Sequence, residues 1–320
     1  MSGLSTKLMT AAAGDDEVAR SQSIYSVPGT YSWVCPDGVT SVSVVCVGGG
    51  GGASQASGGQ NYKTGGGGGA LAYKNNISVN PGQSYTVRVG AGGFHGYTYG
   101  NYGATKVAGE NGGQSYFINA STVSANGGGG GKIYQVLSGY PNAAATYIGD
   151  AGGNGGQAGV AYSGNYSGRQ GGGGGGAGGY SGNGGTTGSF NGYNTATGAL
   201  AVNATGGGGS HGGPFTTKGN GGGGGGTGIF GEGASGTVGA NFKGGGGSGG
   251  EDGGIVIQSL STNHSYAGVG ANGGWPGGGG ALTSTMQYND QMSGEGAGGA
   301  VRIVWPGDAR QFPTTDVGNN

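Results

Sequence analysis

Glycine comes in blocks along this chain: Gly48–Gly52, Gly65–Gly69, Gly127–Gly131, Gly171–Gly176, Gly206–Gly209, Gly221–Gly226, Gly244–Gly247 and Gly277–Gly280. Glycine loses more backbone freedom on folding than any other residue. Each block is therefore either a flexible linker or a run held by close partners. Runs longer than three residues cover full turns of an extended helix with three residues per turn, whose N–H and C=O groups point sideways. Such chains can satisfy one another side by side when no Cβ keeps them apart. Cα–H···O contacts then add on the order of 0.5–1 kcal/mol each. Roughly 1–2 kcal/mol of backbone entropy per ordered residue opposes this. The balance predicts a polyglycine II helix bundle leaning on a conventional core.

Composition narrows the choice. The 94 glycines in 320 residues fall in blocks, not at every third position, and only 8 prolines accompany them, which excludes collagen. Charged residues are 8% of the chain and the formal net charge is -1, so no basic face exists to neutralise the phosphates of a nucleic acid. The 18 tyrosines, 7 phenylalanines and 3 tryptophans between the blocks have no place in a plain linker.

Strand chemistry begins at Ser23. Alternating β-branched residues around Pro36-Asp37-Gly38 predict a hairpin of Tyr31–Cys35 with Val39–Val47, with Val42, Val44 and Cys46 on one face. Further strands are expected at 70–79 and 84–89 around Asn80-Pro81-Gly82, and at 114–118 and 122–125. These would make one side of a small antiparallel sandwich. Ala300–Trp305 is too apolar to stand alone and should return to that sandwich. The expected class is all-β: a small antiparallel β-sandwich base, a large glycine-rich insertion and almost no α-helix. The units expected are an N-terminal peptide (1–22), the base (23–126, completed by 299–307), the glycine-rich region (127–298) and a C-terminal tail (308–320). Cys35 and Cys46, on neighbouring strands, read as two buried small hydrophobes more than as a disulfide.

No segment is apolar and long enough to span a bilayer, and the start lacks a secretory pattern, so assembly in a reducing cytoplasm is expected. Leu4, Leu8 and Met9 give residues 1–14 two readings: a disordered terminus, or an anchor peptide that docks on another protein.

Catalytic and cofactor chemistry finds little support. Gly127–Gly131 precedes Lys132, but Ile133 stands where a phosphate loop needs Ser or Thr. His95, His211 and His264 are far apart with no carboxylate at ligand spacing, so no metal is expected. No nucleophile elbow is present, no cofactor is implied, and the chain reads as a non-enzyme.

The aromatic excursions remain. Tyr with Ser, Gly and Asn is the composition of recognition loops. The candidates are His95, Tyr97, Tyr99, Tyr102, Tyr134, Tyr140, Tyr147, Tyr162, Tyr166, Arg169, Tyr193, Trp275 and Tyr288. The same rings could instead cap the bundle as miniature cores, and both uses are expected.

Residues 29–44 (GTYSWVCPDGVTSVSV), running into Gly48–Gly52, resemble the glycine-rich domain of phage tail-fibre and receptor-binding proteins. ALAYKNNI (70–77) and NPGQSYTV (80–87) continue the likeness. AVRIVWPG (300–307) with RQFP (310–313), and LSTKLM (4–9), are similar to structural proteins of tailed phages infecting cyanobacteria. The middle is similar in style to the polyglycine II adhesins of T-even-like phages, whose glycine-rich motifs carry variable receptor-binding loops. The resemblance implies a virion protein, a tail fibre or fibre-tip adhesin. Its partners would be other virion proteins, through the N-terminal peptide, and a host surface glycan or outer-membrane protein. A homotrimer stays open as the assembly. The alternative is a capsid or tail decoration with a purely structural role. An ice-binding bundle would need a flat row of Thr or Ala at every third position, and no such row is visible.

Overall fold

The computed structural model describes residues 18–56, 61–98, 106–134, 144–163, 172–187, 202–212, 221–238, 243–254, 270–282 and 291–314. Among them there is no helix, and every sheet is antiparallel. Two five-stranded sheets face each other. The first runs β1 (Ser21–Tyr25), β17 (Ala300–Trp305), β3 (Ser41–Val47), β6 (Leu71–Ser78) and β14 (Ala151–Gly153). The second runs β13 (Tyr147–Ile148), β11 (Val123–Ala125), β10 (Ser115–Phe117), β7 (Ser84–Val89) and β2 (Gly29–Val34).

Alternation explains the filling. Val42, Val44 and Cys46 of β3 and Val301 and Ile303 of β17 turn inward, against Trp33, Val87, Phe117 and Val123 of the second sheet. Burying each such side chain contributes about 1.5–3 kcal/mol. Trp33 touches both Phe117 and Trp305, with ring centroids 5.8 and 5.7 Å away. The strand at 300–305 does return to this core, wedged between β1 and β3. The opposite face of the first sheet is also covered: Val45, Val47, Leu71, Tyr73 and Val304 pack against Tyr180, Ile229 and Phe312. Arg302 is wholly buried on that face. Its Nε donates to Gln22 Oε1 (2.8 Å), its Nη1 to Ile229 O (3.1 Å), and its guanidinium sits 4.5 Å from the Phe230 ring centre. Desolvation draws its pKa down to about 10.

Two expectations from the sequence need correction. Tyr31–Cys35 and Val39–Val47 do not form a hairpin: β2 pairs with β7 and β3 with β17 and β6, in opposite sheets. The turn itself is there, with Val39 N bonded to Pro36 O and Gly38 at φ +76°. It works as an arch across the core, because both flanking strands have an apolar face to bury and their edges are taken by other partners. The short strands likewise supply both sheets of the sandwich, not one side of it. Cys35 and Cys46 are buried and free, and the Cys35 thiol donates to Val39 O.

Beyond the sandwich the backbone keeps its hydrogen bonds but changes their pattern. Gly48 and Gly51 donate to Ala70 and Gly67, Gly49 and Gly52 to Gly113 and Glu110, and Gly50 and Ala53 to Ala297 and Gly294. The carbonyls rotate in the same way: Gly49 and Gly52 accept from Gly128 and Gly131, Gly50 and Ala53 from Gly93 and Gly96, and Gly51 from Gly280. A partner that changes at every residue and recurs at every third marks a threefold extended helix. The run at 48–53 thus has six neighbours, and they close a ring around it. Gly67 bonds to Gly129, Gly112 to Gly128, Gly113 to Ala91, Gly296 to Gly93, Ala297 to Gly278 and Gly66 to Gly280. The runs at 172–178 and 221–226 are centres of further hexagons; the first shares the runs at 65–69 and 277–280 with this one, and the second shares 277–280. A Cβ at Gly48, Gly49, Gly50, Gly51 or Gly52 would collide with the carbonyl of Asn126, Ala91, Gly278, Gly129 or Phe94 in turn. The lattice includes 48–53, 65–70, 90–96 and 109–113, so glycine-rich runs and sandwich strands alternate along the chain from the start.

Outer runs show the same period. Gly90, Gly93 and Gly96 are buried, whereas Ala91 and Phe94 are exposed. Where a lattice neighbour is missing, a side chain takes its place. Asn111 Oδ1 accepts from Gly130 N (2.8 Å), Asn183 Oδ1 from Asn154 N (3.0 Å) and Asn272 Oδ1 from Glu295 N (2.9 Å). Each satisfies an amide that would otherwise lack a protein partner.

Candidate binding surface at the distal pole

The direction of the runs gives the molecule two poles. Runs that leave β3, β7 and β11 lead away from the sandwich, and those that feed β6, β10 and β17 lead back. The described turns at Tyr180, Gly206–Gly207, Ser248–Gly249 and Trp275–Gly277 lie at the sandwich end. Nine stretches between described runs lie outside the described residues. For eight of them both flanking runs end at the pole away from the sandwich. For the ninth, 135–143, one flank ends there and the other lies near the base, where Gly155 N bonds to Ala145 O.

At the distal pole the glycine runs give way to short strands. β5 (Asn61–Thr64) lies between β12 (Ile133–Tyr134) and β15 (Val160–Ser163). β4 (Gln55–Ala56) pairs with β9 (Lys106–Val107), and β8 (Tyr97–Thr98) with β16 (Gln291–Met292). The register sets Tyr62 opposite both Tyr134 and Tyr162, a row of three tyrosines across adjacent strands. Strand spacing makes that row about 10 Å long. Tyr62 and Tyr134 are half-buried.

Beneath these strands is a polar layer with almost no exposure: Ser54, Gln55, Thr64 and Ser293. Ser54 Oγ donates to Thr64 O (3.0 Å), and Ser293 Oγ donates to Ser54 O (2.8 Å) and lies 2.7 Å from Gln55 Oε1. Short hydroxyl side chains reach backbone carbonyls just where close glycine packing ends, and so fix the strands above. Lys63, opposite Ile133 and Ala161, is buried and makes no ion pair among the described residues. Desolvation pushes its ammonium down to about 8. His95 Nδ1 stands 3.2 Å from Glu295 Oε1, joining two outer runs.

The sequence candidates divide accordingly. His95, Tyr97, Tyr134 and Tyr162 all lie in the distal half, Tyr134 and Tyr162 on either side of Tyr62 and His95 and Tyr97 along a separate outer run. Tyr147 and Trp275 do not join them. Tyr147 pairs with Ala125 in the sandwich and packs on its core, and Trp275 packs at the base against the second apolar cluster. Burial of their rings decides this, since neighbouring turns need a hydrophobic seat. Tyr99, Tyr102, Tyr140, Tyr166, Arg169, Tyr193 and Tyr288 lie outside the described residues, as do Leu4, Leu8 and Met9. Tyr62 escaped sequence reasoning. Its signal was the strand-like Asn-Tyr-Lys-Thr directly before a glycine run.

Among the described residues no three His, Cys, Asp or Glu side chains converge as a metal site, and no helix could cross a membrane. His211 is buried with Nδ1 3.3 Å from Gly212 O, and desolvation lowers its pKa. It serves the lattice. The arrangement can present aromatic and neutral polar groups from a rigid backbone, and among the described residues no nucleophile with an adjacent base stands out. No curated protein matches the chain. The glycine-rich domain family matches residues 26–306, most of the sequence, and the chain belongs to that family.

Proposed function

We propose that this protein is a phage virion component, a tail fibre or fibre-tip adhesin, that binds the host surface through the tyrosine-bearing segments at its distal pole. The observation that carries the proposal is polarity. Eight of the nine interrupting stretches have both flanks at one end of a hydrogen-bonded lattice, with the row of Tyr62, Tyr134 and Tyr162 beside them. Val18, the first described residue, packs on the sandwich core next to the Gly38 arch, at the opposite end. An N-terminal peptide leaving there would dock on the rest of the virion while the distal pole faces outward. A fixed scaffold lowers the ordering cost of each loop on binding, which favours a binding surface built this way. The ligand is a glycan or an outer-membrane protein of a cyanobacterial host, consistent with the sequence resemblance to cyanobacterial phage proteins. Binding, not catalysis, is the role.

The test is adsorption. Purified protein should bind receptive cyanobacterial cells and compete with infection by a phage that carries it. Absence of binding to cells that this phage adsorbs to would overturn the proposal. Labelling along the capsid or tail, with adsorption unchanged when the protein is removed, would select a structural decoration instead.

A further inference from the structure

One border of the sandwich differs from the other. At the far border the strands are two and three residues long (β13 and β14), and the Lys74–Asp150 ion pair (3.0 Å) stands beside them. Short strands and charges are how sheet edges avoid pairing. At the near border lie β1 and β2, five and six residues long, both terminal in their sheets and linked by the Tyr25–Tyr31 ring contact (5.1 Å). Neither contains a charged residue or a proline. Among the described residues neither makes a backbone hydrogen bond on its outer side.

Apolar side chains cluster along the same border. Val27, in the turn between the two strands, is 65% exposed, and Phe94, on the outer run above them, is 62% exposed. Pro28 lies over the seam between the runs at 90–96 and 294–298, with its Cγ 3.4 Å from where a side chain on Gly298 would begin. Ile24 shares the outer face of the first sheet with its register partner Arg302. Trp33 points inward, so Thr30, Ser32 and the exposed Val34 lie on the outer face of the second sheet.

We propose that this border is the interface of a homodimer whose two-fold axis runs along the length of the molecule. The two edge strands run in opposite directions, β1 toward the lattice and β2 away from it. Half a turn about an axis parallel to them lays β1 antiparallel to the mate's β2, and β2 antiparallel to the mate's β1. Both open edges are filled by one operation, as an isologous contact requires. The first sheet of each copy continues into the second sheet of the other, and Ile24 joins a face shared with the mate's Thr30, Ser32 and Val34. Val27 meets Val27, and Phe94 meets Phe94. Each uncharged edge strand is matched by an uncharged edge strand of the mate. A charged partner would leave its own ions desolvated there. Both distal poles then point the same way.

The full-length chain is tested by sedimentation and light scattering. The expected mass is twice 30.2 kDa. Val27→Asp combined with Phe94→Asp should weaken the dimer at least tenfold and give the single-chain mass, with an unchanged circular dichroism spectrum because both side chains are exposed. Separately, Val27→Cys and Phe94→Cys should each give a disulfide-linked dimer when oxidised with diamide. Cys35 and Cys46 are buried and do not compete. Single-chain mass at high micromolar concentration, or a dimer untouched by the aspartates, would overturn the inference. So would cross-linking at only one of the two positions, since copies in opposite directions cannot bring both pairs to the axis.

Discussion

Replacing Gly50 by alanine tests the lattice at its centre. A Cβ built there would stand 2.5 Å from the carbonyl carbon of Gly278, with the oxygen nearer still. Carbon atoms pack at about 3.5–4.0 Å, so the run at 277–280 has to retreat by about 1 Å. That movement strains Ala297 N to Gly278 O (2.9 Å) and, through the same three runs, Gly50 N to Ala297 O and Gly93 N to Gly50 O (2.8 Å each). Leaving a buried backbone group unpaired costs about 1–3 kcal/mol, and two such losses cost about 2–6. Alanine restricts the unfolded chain and returns about 0.4–1 kcal/mol. The net expectation is a loss of about 1–5.5 kcal/mol. Gly298→Ala is the control: its Cβ would meet Pro28 Cγ at 3.4 Å and Gly90 O at 3.9 Å, ordinary contacts, and it should be neutral or slightly stabilising. Guanidinium unfolding, followed by tryptophan fluorescence and circular dichroism, compares the two. If Gly50→Ala lies within about 0.5 kcal/mol of the parent, the close-packing account of these glycines is wrong.

Lys63 is expected to give a pH signature. Its pKa falls from 10.5 to about 8 on folding, so the unfolded chain holds the proton through that window and stability rises with pH there, by at most about 3 kcal/mol. Lys63→Met should be more stable than the parent near neutral pH, and the difference should shrink between pH 8 and 10.5; a constant difference would refute the desolvation reading. At the lattice boundary, Asn111→Asp keeps an acceptor for Gly130 N and should be nearly silent, whereas Asn111→Ala should cost about 1 kcal/mol in the same unfolding assay. For function, Tyr62→Ala should lower cell binding several-fold, while Trp275→Phe at the opposite pole leaves it unchanged; equal effects would argue against a distal binding surface.

Much of the fold was legible because its signals are local. Alternation in Val42–Cys46 marked an inner face, and the apolar Ala300–Trp305 could only be a core strand. Pairing was less legible. Pro36-Asp37-Gly38 marks a turn, but a turn says nothing about whether the strands it joins share a sheet or face each other across a core. The glycine blocks announced close packing, yet the hexagons depend on which runs meet, and glycine carries no side chain to specify that. A usable clue lies in spacing: Ala91 and Phe94, or Ala108 and Asn111, stand three apart on faces that have no neighbour. The distal pole was legible in composition but not in membership. Tyr62 gained its place from register, and Trp275 lost one because its ring seats a base turn.

The boundary asparagines also bear on how the protein ages. Asn111, Asn154, Asn183 and Asn272 are each followed by glycine, the sequence in which asparagine ordinarily loses its amide soonest. That reaction needs the glycine nitrogen to turn back on the asparagine side-chain carbon and close a five-membered imide. Here all four nitrogens donate to carbonyls, Gly112 to Gly128, Gly155 to Ala145, Gly184 to Asn154 and Gly273 to Glu295, at 2.9–3.0 Å. The backbone is also held extended, away from the geometry of ring closure. Four of the chemically weakest bonds in the chain are thereby protected for as long as the lattice stays closed.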